Sequence, residues 1–419
     1  MKDRISNLAR RARREYSNKG LRSFIANGFR FVARDFWLEE VIERRSISRS
    51  ELQSIAEKDE NIWYAQKEGS INIDPAPNHQ IREEFKPYPS EFAPETPFVC
   101  ELSDCYLLGD YAVGMTEEGS IISETAPVYK STGSVKKLGI GMGEVLRSSV
   151  PMRRTEPEYD YENVFPLVTP YASYYHWMVE YLPKLRLLEH YIEKTGKEPT
   201  VLVESDPRGF VRGTLETIGY PSSSYEEWRG GKARIDSLIL TPHRIHSFNY
   251  RNPPLSNYNP SRDDIRWLRQ RVRSSTNRDR GGDVRKEKSK SRRIYISRQE
   301  VDSDHTSSRK VLNYDEVKGV LDEFGFEPYI MENLPFRRQA ELFADADVVM
   351  GPHGAGLVNI IFSDNPLVVE LFPESKVKPH FYFISDMMGF GYEGIVTDAK
   401  GTELVVDTDL LRSRLESVT

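Results

Sequence analysis

Apolar and polar positions alternate in blocks along most of the chain, and these blocks predict strands and helices in turn. The predicted elements are a helix at 174–190, a strand at 200–204, a helix at 208–218, a strand at 235–240, a helix at 261–273, a strand at 293–297, a helix at 314–324, a strand at 326–330 and a helix at 336–344. Such alternation predicts parallel sheets joined by crossover helices.

A strand, a glycine-rich turn and a second strand complete the pattern. The β-branched run at 348–350 leads into Gly351-Pro352-His353-Gly354-Ala355-Gly356, and a helix-compatible segment follows. A second apolar strand at 367–372 contains Glu370.

These elements predict an α/β fold with two α/β halves facing a cleft, preceded by an N-terminal helical and extended appendage. The appendage covers residues 1–97, where six prolines between positions 75 and 97 predict an extended arm. An N-terminal α/β domain follows at 98–260 and a C-terminal nucleotide-binding domain at 261–419. The N-terminal domain opens with β-like runs at 98–102, 106–108, 111–115 and 120–122, and a charged loop is expected at 274–291.

Composition and charge exclude several classes of protein. The 419 residues are 38% hydrophobic and 29% charged, and the net charge of −6 argues against general attraction to nucleic acid. Two cysteines, Cys100 and Cys105, make neither a disulfide framework nor a zinc site of recognisable spacing. Neither a membrane span nor a signal-peptide core is visible in the sequence. We therefore expect a cytoplasmic protein in a reducing setting.

The first 45 residues predict a basic amphipathic helix. Its apolar positions recur at helical spacing beside arginines such as Arg30 and Arg34. Such a helix can lie on an anionic membrane surface, and it can equally dock on the protein itself or on a second copy.

The glycine turn predicts a phosphate-binding site. Glycines let backbone N–H groups close on a phosphate, and the following helix start adds partial positive charge. Glu370 lies about 20 residues beyond Gly351, where such a unit places an acid for ribose hydroxyls. The G-x-x-G-x-G spacing does not indicate a standard NAD site. A tight packing turn is the alternative interpretation.

His176 and Glu180 share one face of the predicted helix, because they are four residues apart. A carboxylate beside an imidazole orients it and raises its basicity, which suits a general base. Pro183 predicts a kink or a new helix start, and Gly196 predicts the end of that helix. An aromatic helix face with an ordinary hydrogen-bonded histidine is the alternative.

Cationic groups follow the strand at 293–297. Arg298 comes directly after it, and Arg309 with Lys310 comes about a dozen residues later. Guanidinium groups at the carboxyl edge of a strand suit bidentate contact with a diphosphate. His353, inside the glycine turn, can donate to a phosphate oxygen.

Two D-x-D triplets raise the alternative of Mg²⁺ or Mn²⁺ binding. Asp302 and Asp304 lie beside the cationic residues, and Asp345 and Asp347 lie at the start of a strand, away from its carboxyl edge. We expect no metal cofactor.

Three spaced segments together resemble the family 61 glycosyltransferases, long described in prokaryotes as capsular polysaccharide biosynthesis proteins. The segments are Tyr174-Tyr175-His176-Trp177-Met178-Val179-Glu180-Tyr181-Leu182-Pro183, then Ile296-Ser297-Arg298 with Arg309, then Gly351-Pro352-His353-Gly354-Ala355-Gly356-Leu357-Val358-Asn359 with Glu370-Leu371-Phe372-Pro373. The likeness covers roughly residues 98–400. The resemblance implies a GT-B-like architecture, with two Rossmann-like domains facing a cleft. It also implies inverting transfer from a nucleotide sugar, usually without an essential metal. Lys310 stands where the family usually has a second arginine.

The resulting hypothesis is an inverting glycosyltransferase whose acceptor is a glycan or a lipid-linked glycan. Catalysis is assigned to His176 and Glu180, either of which can be the base. Donor binding is assigned to Arg298, Arg309, Lys310, His353, Gly354, Ala355, Gly356, Asn359 and Glu370. The rivals are a non-catalytic sugar-nucleotide-binding scaffold protein and a Rossmann oxidoreductase, and the glycine spacing disfavours the latter.

Overall fold

The computed structural model describes residues 46–125 apart from 89 and 93, and residues 156–169, 173–246, 259–279, 292–300 and 308–418. The strands are β1 Ser46–Ile47, β2 Ile62–Tyr64, β3 Ile71–Asn72, β4 Glu91–Phe92, β5 Phe98–Leu108, β6 Val113–Met115, β7 Ile121–Ile122, β8 Tyr159–Pro166, β9 Thr200–Val203, β10 Tyr225–Glu227, β11 Lys232–Leu240, β12 Ile245–His246, β13 Asn259–Pro260, β14 Arg293–Ile296, β15 Phe326–Tyr329, β16 Val348–Pro352, β17 Leu367–Pro373, β18 Gly391–Lys400 and β19 Glu403–Val405.

The α-helices are α1 Arg49–Lys58, α2 His79–Phe85, α3 Tyr174–His176, α4 Lys184–Thr195, α5 Gly209–Ile218, α6 Arg262–Asp279, α7 Tyr314–Glu323, α8 Phe336–Ala344, α9 His380–Met388 and α10 Thr408–Val418. A π-helix covers Trp177–Tyr181, and 3₁₀ helices cover Ser222–Ser224, Met331–Asn333 and Ala355–Phe362. The α/β class predicted from the sequence is confirmed. None of the helices in the described ranges combines the length and apolar character that a bilayer span requires.

The chain divides into two compact units, and the division differs from the predicted boundary at residue 260. The first unit takes its described residues from 46–62, 100–125, 156–169 and 228–240. The second takes them from 63–99, 173–227, 241–246, 259–279, 292–300 and 308–418. Residues 173–227 therefore belong to the same unit as the glycine turn.

The first unit contains a mixed sheet in the order β1-β7-β6-β5-β11-β8. Strands β5, β6 and β7 form an antiparallel meander, β11 pairs antiparallel with β5, and β8 pairs parallel with β11. The sequence predicted two separate strands at 98–102 and 106–108, but β5 is continuous. The strand continues through Asp104, although this residue takes a left-handed conformation with φ of 51° and locally distorts the strand.

The second unit contains a six-stranded sheet in the order β15-β14-β16-β17-β18-β19. The first five strands are parallel, and β19 pairs antiparallel with β18. Because every parallel pairing needs a crossover, α7, α8, α9 and the 3₁₀ helix Ala355–Phe362 connect successive strands. This order, 2-1-3-4-5 for the parallel strands, is that of a doubly wound Rossmann-like sheet.

One face of this sheet packs against α7 and α10. Side chains of a strand alternate between the two faces, so Val369 and Leu371 of β17 point toward that core while Glu370 points the other way. Val317 from α7 and Leu411 from α10 complete the buried cluster. The face against α7 and α10 is therefore apolar, whereas Glu370 lies on the face that carries α9.

The predicted proline-rich arm contains a helix as well as extended chain. Helix α2 begins after Asn78, whose side chain accepts from Gln80 N–H and donates to Glu393 of β18. Phe85 stacks on Tyr382 with ring centroids 5.4 Å apart. Residues of the proline-rich arm thus pack on β18 and α9.

Several predicted element boundaries need correction. Residues 174–190 were predicted as one helix, but a π-helix separates α3 from α4. Pro183 is the residue before α4 and Gly196 closes it with φ of 70°, as predicted. Helix α6 continues to Asp279, beyond the predicted end at 273, because Val272 and Thr276 continue its buried face. The rest of the predicted charged loop, residues 280–291, lies outside the described residues.

Gly351 allows β16 to approach β14. A Cβ at this position would lie 2.9 Å from Ile296 Cβ and 3.0 Å from the Ile296 carbonyl oxygen. Backbone cannot move aside as a flexible side chain can, so we predict that Gly351→Ala lowers the free energy of unfolding by about 1–3 kcal/mol. Urea denaturation measures the change.

Gly319→Ala is the matched control, since Gly319 lies in α7 and a Cβ there meets nothing within 4 Å. This variant should gain roughly 0.5–1 kcal/mol, because alanine has less chain entropy to lose in a helix. Equal stability of Gly351→Ala and wild type would contradict the close approach.

Candidate functional site

The carboxyl ends of β14 and β16 mark the switch point of the sheet in the second unit. Strand β14 leads on one side to β15, its successor in the chain, and pairs on its other side with β16, so the connections leave in opposite directions. Open α/β sheets bind ligands in the crevice at such a point. Here β14 ends at Ile296, directly before Ser297 and Arg298, and β16 ends at Pro352, directly before His353 and the second glycine of the turn.

The structure brings Arg298 against the glycine turn. A Cβ built on Gly354 would lie 2.6 Å from Arg298 Nη1, so only glycine leaves room for the guanidinium in this position. Arg298 Nε donates to the Ser308 carbonyl at 2.6 Å, which holds the side chain along the edge of the sheet. Gly354 is buried, whereas Ala355 and Gly356 are partly exposed. The predicted proximity of arginine and turn is therefore present.

Glu403, at the start of β19, organises the loop that carries Arg309. Its two carboxylate oxygens accept from Ser308 Oγ and from Lys310 N–H, on either side of that residue. Arg309 itself has a φ of 51°, a left-handed conformation that is uncommon for a residue with a side chain. The carboxylate bridge thus holds the strained residue in place, and Lys310 contributes its backbone to the bridge.

Positive charges converge on this edge of the sheet. Burial is the main cause that lowers the pKa of Arg309 to about 10, and the positive charge of Arg298 is the second cause. Burial also lowers the pKa of Lys376, with further lowering by Arg309 and Lys378. Cations that lower one another's proton affinity are near neighbours, and an anion bound among them would relieve their repulsion. The arrangement suits a diphosphate.

His353 and Glu370 form a buried pair beneath the turn. His353 Nδ1 is hydrogen-bonded to Glu370 Oε1, and Tyr392 donates to the other carboxylate oxygen at 2.6 Å. Burial raises the pKa of Glu370 well above its ordinary value and lowers the pKa of His353 well below its own. Glu370, predicted to bind ribose, is fully buried, with both carboxylate oxygens in these bonds.

His176 and Glu180 form the predicted pair. His176 Nδ1 lies 2.5 Å from Glu180 Oε1, and the two side chains are 20% and 10% exposed. Glu180 lies in the π-helix, where Leu182 N–H donates to the Trp177 carbonyl. Pro183 has no N–H for a regular helical bond, which favours the wider turn, and single π turns are frequent at functional sites.

Direct contacts join this pair's helix to the glycine turn. Tyr174 donates to Asn359 Oδ1 at 2.6 Å, and Asn359, fully buried, donates in turn to Gln339. The Tyr175 ring lies 5.3 Å from that of His380, which lies 5.7 Å from His353. All these residues belong to the second unit. The predicted donor residue Asn359 thus clamps the segment that carries His176.

The two D-x-D triplets differ in what the structure shows of them. Asp302 and Asp304 lie outside the described residues, as does the amphipathic segment 1–45. Asp347 accepts from Arg292 N–H at 2.9 Å and Asp345 lies 3.4 Å from the Arg292 side chain, at the start of β16. Among the described residues no group of three or more acidic, histidine or cysteine side chains could hold a metal.

Some site residues were not predicted from the sequence. Lys376, Lys378 and His380 follow the end of β17, so the rule that ligands bind beyond the carboxyl ends of parallel strands could have found them. Tyr392 and Glu403 lie far along the chain, and the sequence carries no local signal for their roles.

These features define an α/β protein with a cationic sheet edge and a histidine–carboxylate pair in the same unit. Residues 174–369 match the family model described as Glycosyltransferase 61. This match confirms the resemblance to the family 61 glycosyltransferases that the motifs predicted.

The chain is similar to two proteins named as sugar transferases. The chain is 29% identical over 210 residues to beta-1,2-xylosyltransferase XAX1 of Oryza sativa subsp. japonica, covering 49% of this chain and 30% of the relative. It is 35% identical over 79 residues to the EGF domain-specific O-linked N-acetylglucosamine transferase of Drosophila melanogaster, covering 18% and 14%. The matches thus span less than a third of either relative's length.

His380 provides a test of the buried cationic environment. Burial, followed by the charges of Lys378 and His176, lowers its pKa well below 6.5. The native state therefore binds fewer protons than the unfolded state below about pH 6.5, and stability falls as the pH drops. We predict that the stability difference between wild type and His380→Gln shifts by up to about 1.4 kcal/mol per pH unit across this range.

Urea unfolding at about pH 7.5 and about pH 5.5, on either side of the ordinary histidine pKa, measures this shift. His79→Gln, at an exposed histidine, is the control. Wild-type and His380→Gln stabilities that fall in parallel on acidification would contradict the prediction.

Proposed function

We propose that this protein is an inverting glycosyltransferase that moves a sugar from a nucleotide-sugar donor to a glycan or lipid-linked glycan. One observation carries the proposal: the His176–Glu180 pair and the cationic glycine turn lie in one unit and are joined by the Tyr174–Asn359 hydrogen bond. The match to the glycosyltransferase 61 family supports it.

The donor's diphosphate binds at the switch point. Arg298 and Arg309 neutralise it, and the N–H groups of Gly354, Ala355 and Gly356 donate to its oxygens. The leaving diphosphate gains negative charge in the transition state, so fixed cations stabilise that state more than the ground state. Its electron pair departs with the nucleoside diphosphate as the bond to the anomeric carbon breaks.

His353 and Glu370 form the floor of this site. The neutral imidazole presents its outer edge to the donor, while Glu370, itself held by Tyr392, bonds the ring at Nδ1. The ribose role predicted for Glu370 would require its buried carboxylate to turn away from both partners. We therefore propose that Glu370 positions His353.

His176 is the base in this mechanism. Glu180 accepts from Nδ1 and so orients the ring, and Nε2 takes the proton as the acceptor hydroxyl attacks the anomeric carbon. A single displacement of this kind inverts the configuration and needs no nucleophile on the enzyme. In the alternative scheme Glu180 itself takes the proton. The measurement of transfer rates below distinguishes the two schemes.

Further parts of the proposal rest on the resemblance and on sequence pattern. A GT-B arrangement is supported by the doubly wound sheet of the second unit, whereas the sheet of the first is mostly antiparallel in its described part. Metal independence is supported by the cations that occupy the donor edge. A cytoplasmic location at an anionic membrane surface is supported by the basic pattern of residues 1–45 and by the buried free thiols of Cys100 and Cys105.

Donor binding tests the cationic edge. Gly354→Ala should fold normally, because its Cβ would displace only the end of the flexible Arg298 side chain. We expect this displacement to weaken donor binding about tenfold, and Arg298→Ala to weaken it by roughly 1.5–3 kcal/mol. A thermal-shift screen with UDP-, GDP- and TDP-sugars identifies the donor, and calorimetry measures its affinity.

Arg292→Ala is the matched control, since this arginine precedes β14 at the opposite edge of the sheet and contacts Asp345. Its donor affinity should equal that of wild type. Unchanged affinity in both Gly354→Ala and Arg298→Ala would remove the diphosphate assignment.

Transfer rates test the base. His176→Ala should reduce the rate about 10²–10⁴-fold without reducing donor affinity, because general-base catalysis contributes an effect of that size. Glu180→Gln keeps an acceptor for Nδ1 and should cost less if Glu180 only orients His176, whereas a loss equal to that of His176→Ala would make Glu180 the base. His190→Ala, in the next helix, is the control.

Wild-type rates in both His176→Ala and Glu180→Gln would disprove the assignment. Donor binding without transfer by the wild type would favour the non-catalytic scaffold instead, and binding of nicotinamide cofactors would favour the oxidoreductase. Transfer that persists in excess chelator agrees with metal independence.

A further inference from the structure

Three arginines on one face of α6 line a cavity in the second unit. Arg266, Arg269 and Arg273 follow one another at helical spacing, and the cavity of about 430 Å³ that they border is completed by Gln270, Ser274 and Met388. This volume lies within the range of about 300–1,000 Å³ that is usual for small-ligand sites.

The cavity keeps a positive charge. Asp364 accepts from Arg269 at 3.4 Å and also pairs with Arg273, so one carboxylate offsets part of the charge of three guanidinium groups. Burial, followed by the charge of Arg273, lowers the pKa of Arg269. The Nε atom of Arg273 is buried and has no hydrogen-bond partner in the described part of the chain. Such an unsatisfied donor costs stability unless a ligand or water meets it.

The remaining lining suits a sugar. The Gln270 amide and the Ser274 hydroxyl can bond to sugar hydroxyls, and Met388 offers an apolar surface. The guanidinium of Arg269 lies over the Phe390 ring, 5.7 Å from its centroid, which fixes its plane for a bidentate contact. Planar carboxylates match this fork.

We infer that this cavity binds an acidic sugar of the glycan acceptor, with a carboxylate held by the arginines of α6. The inference rests on the proposed glycosyltransferase function and names its acceptor class. Helix α9 begins at His380, beside the proposed donor site, and ends at Met388, which lines the cavity. The helical rise per residue places these two ends roughly 12 Å apart. An oligosaccharide can span that distance, so an acidic unit can bind here while another unit reaches the base.

Calorimetry on the full chain at low salt tests the inference with two matched tetrasaccharides, one that contains glucuronic acid and one that contains glucose in its place. We expect the acidic probe to bind at least about tenfold more tightly. Arg266→Glu, at an exposed position that leaves the core intact, should weaken binding of the acidic probe at least about tenfold, and so should Arg273→Ala.

Arg271→Ala is the control, because this arginine lies on the same helix but pairs with Glu189. It should leave binding unchanged. Arg298→Ala should also leave binding of the acidic probe unchanged, so loss of donor binding and loss of acceptor binding are separate results.

Equal affinities for the two tetrasaccharides would overturn the inference, as would unchanged binding in Arg266→Glu. Binding of inorganic phosphate by the wild type without binding of the acidic tetrasaccharide would also overturn it, since the site would then take free phosphate and not an acidic glycan.

Discussion

The close approach of β16 to β14 is the constraint on which the rest of the candidate site depends. Gly351 faces Ile296 across these strands with no room for a Cβ, and both strands end within a residue or two of this contact. The approach places Arg298, just beyond β14, against Gly354, just beyond β16. Two glycines thus serve different needs: the first lets backbones meet, and the second leaves space for a guanidinium. The proposed diphosphate site depends on this packing.

Polar groups are buried around that contact, and hydrogen bonds between them offset the cost of removing them from water. His353, Glu370 and Tyr392 form a chain in the core, and Glu403 holds both sides of Arg309. Buried polar groups cost stability when unpaired, so each such group needs a partner at the right distance. The same network fixes the orientation of the side chains that would meet the donor.

Local patterns were sufficient for much of the fold. Helical spacing predicted α7 and α8, an apolar run predicted β16, and Pro183 with Gly196 predicted the limits of α4. The His176–Glu180 pair was also predicted, because a four-residue spacing brings side chains together whenever the segment is helical. Patterns failed where geometry depends on neighbours: one predicted helix contains a π-helix, and two predicted strands are continuous through Asp104.

The sequence by itself determined the element types, the motif residues and the resemblance to family 61, since these depend on neighbours in the chain. Only the tertiary structure decided which residues meet across the fold. It joined Tyr174 to Asn359, buried Glu370 beneath His353, and brought Glu403 to the loop of Arg309. The reason is physical: strand order and packing set contacts between residues tens or hundreds of positions apart, and the periodicity of a segment carries no information about its distant partner.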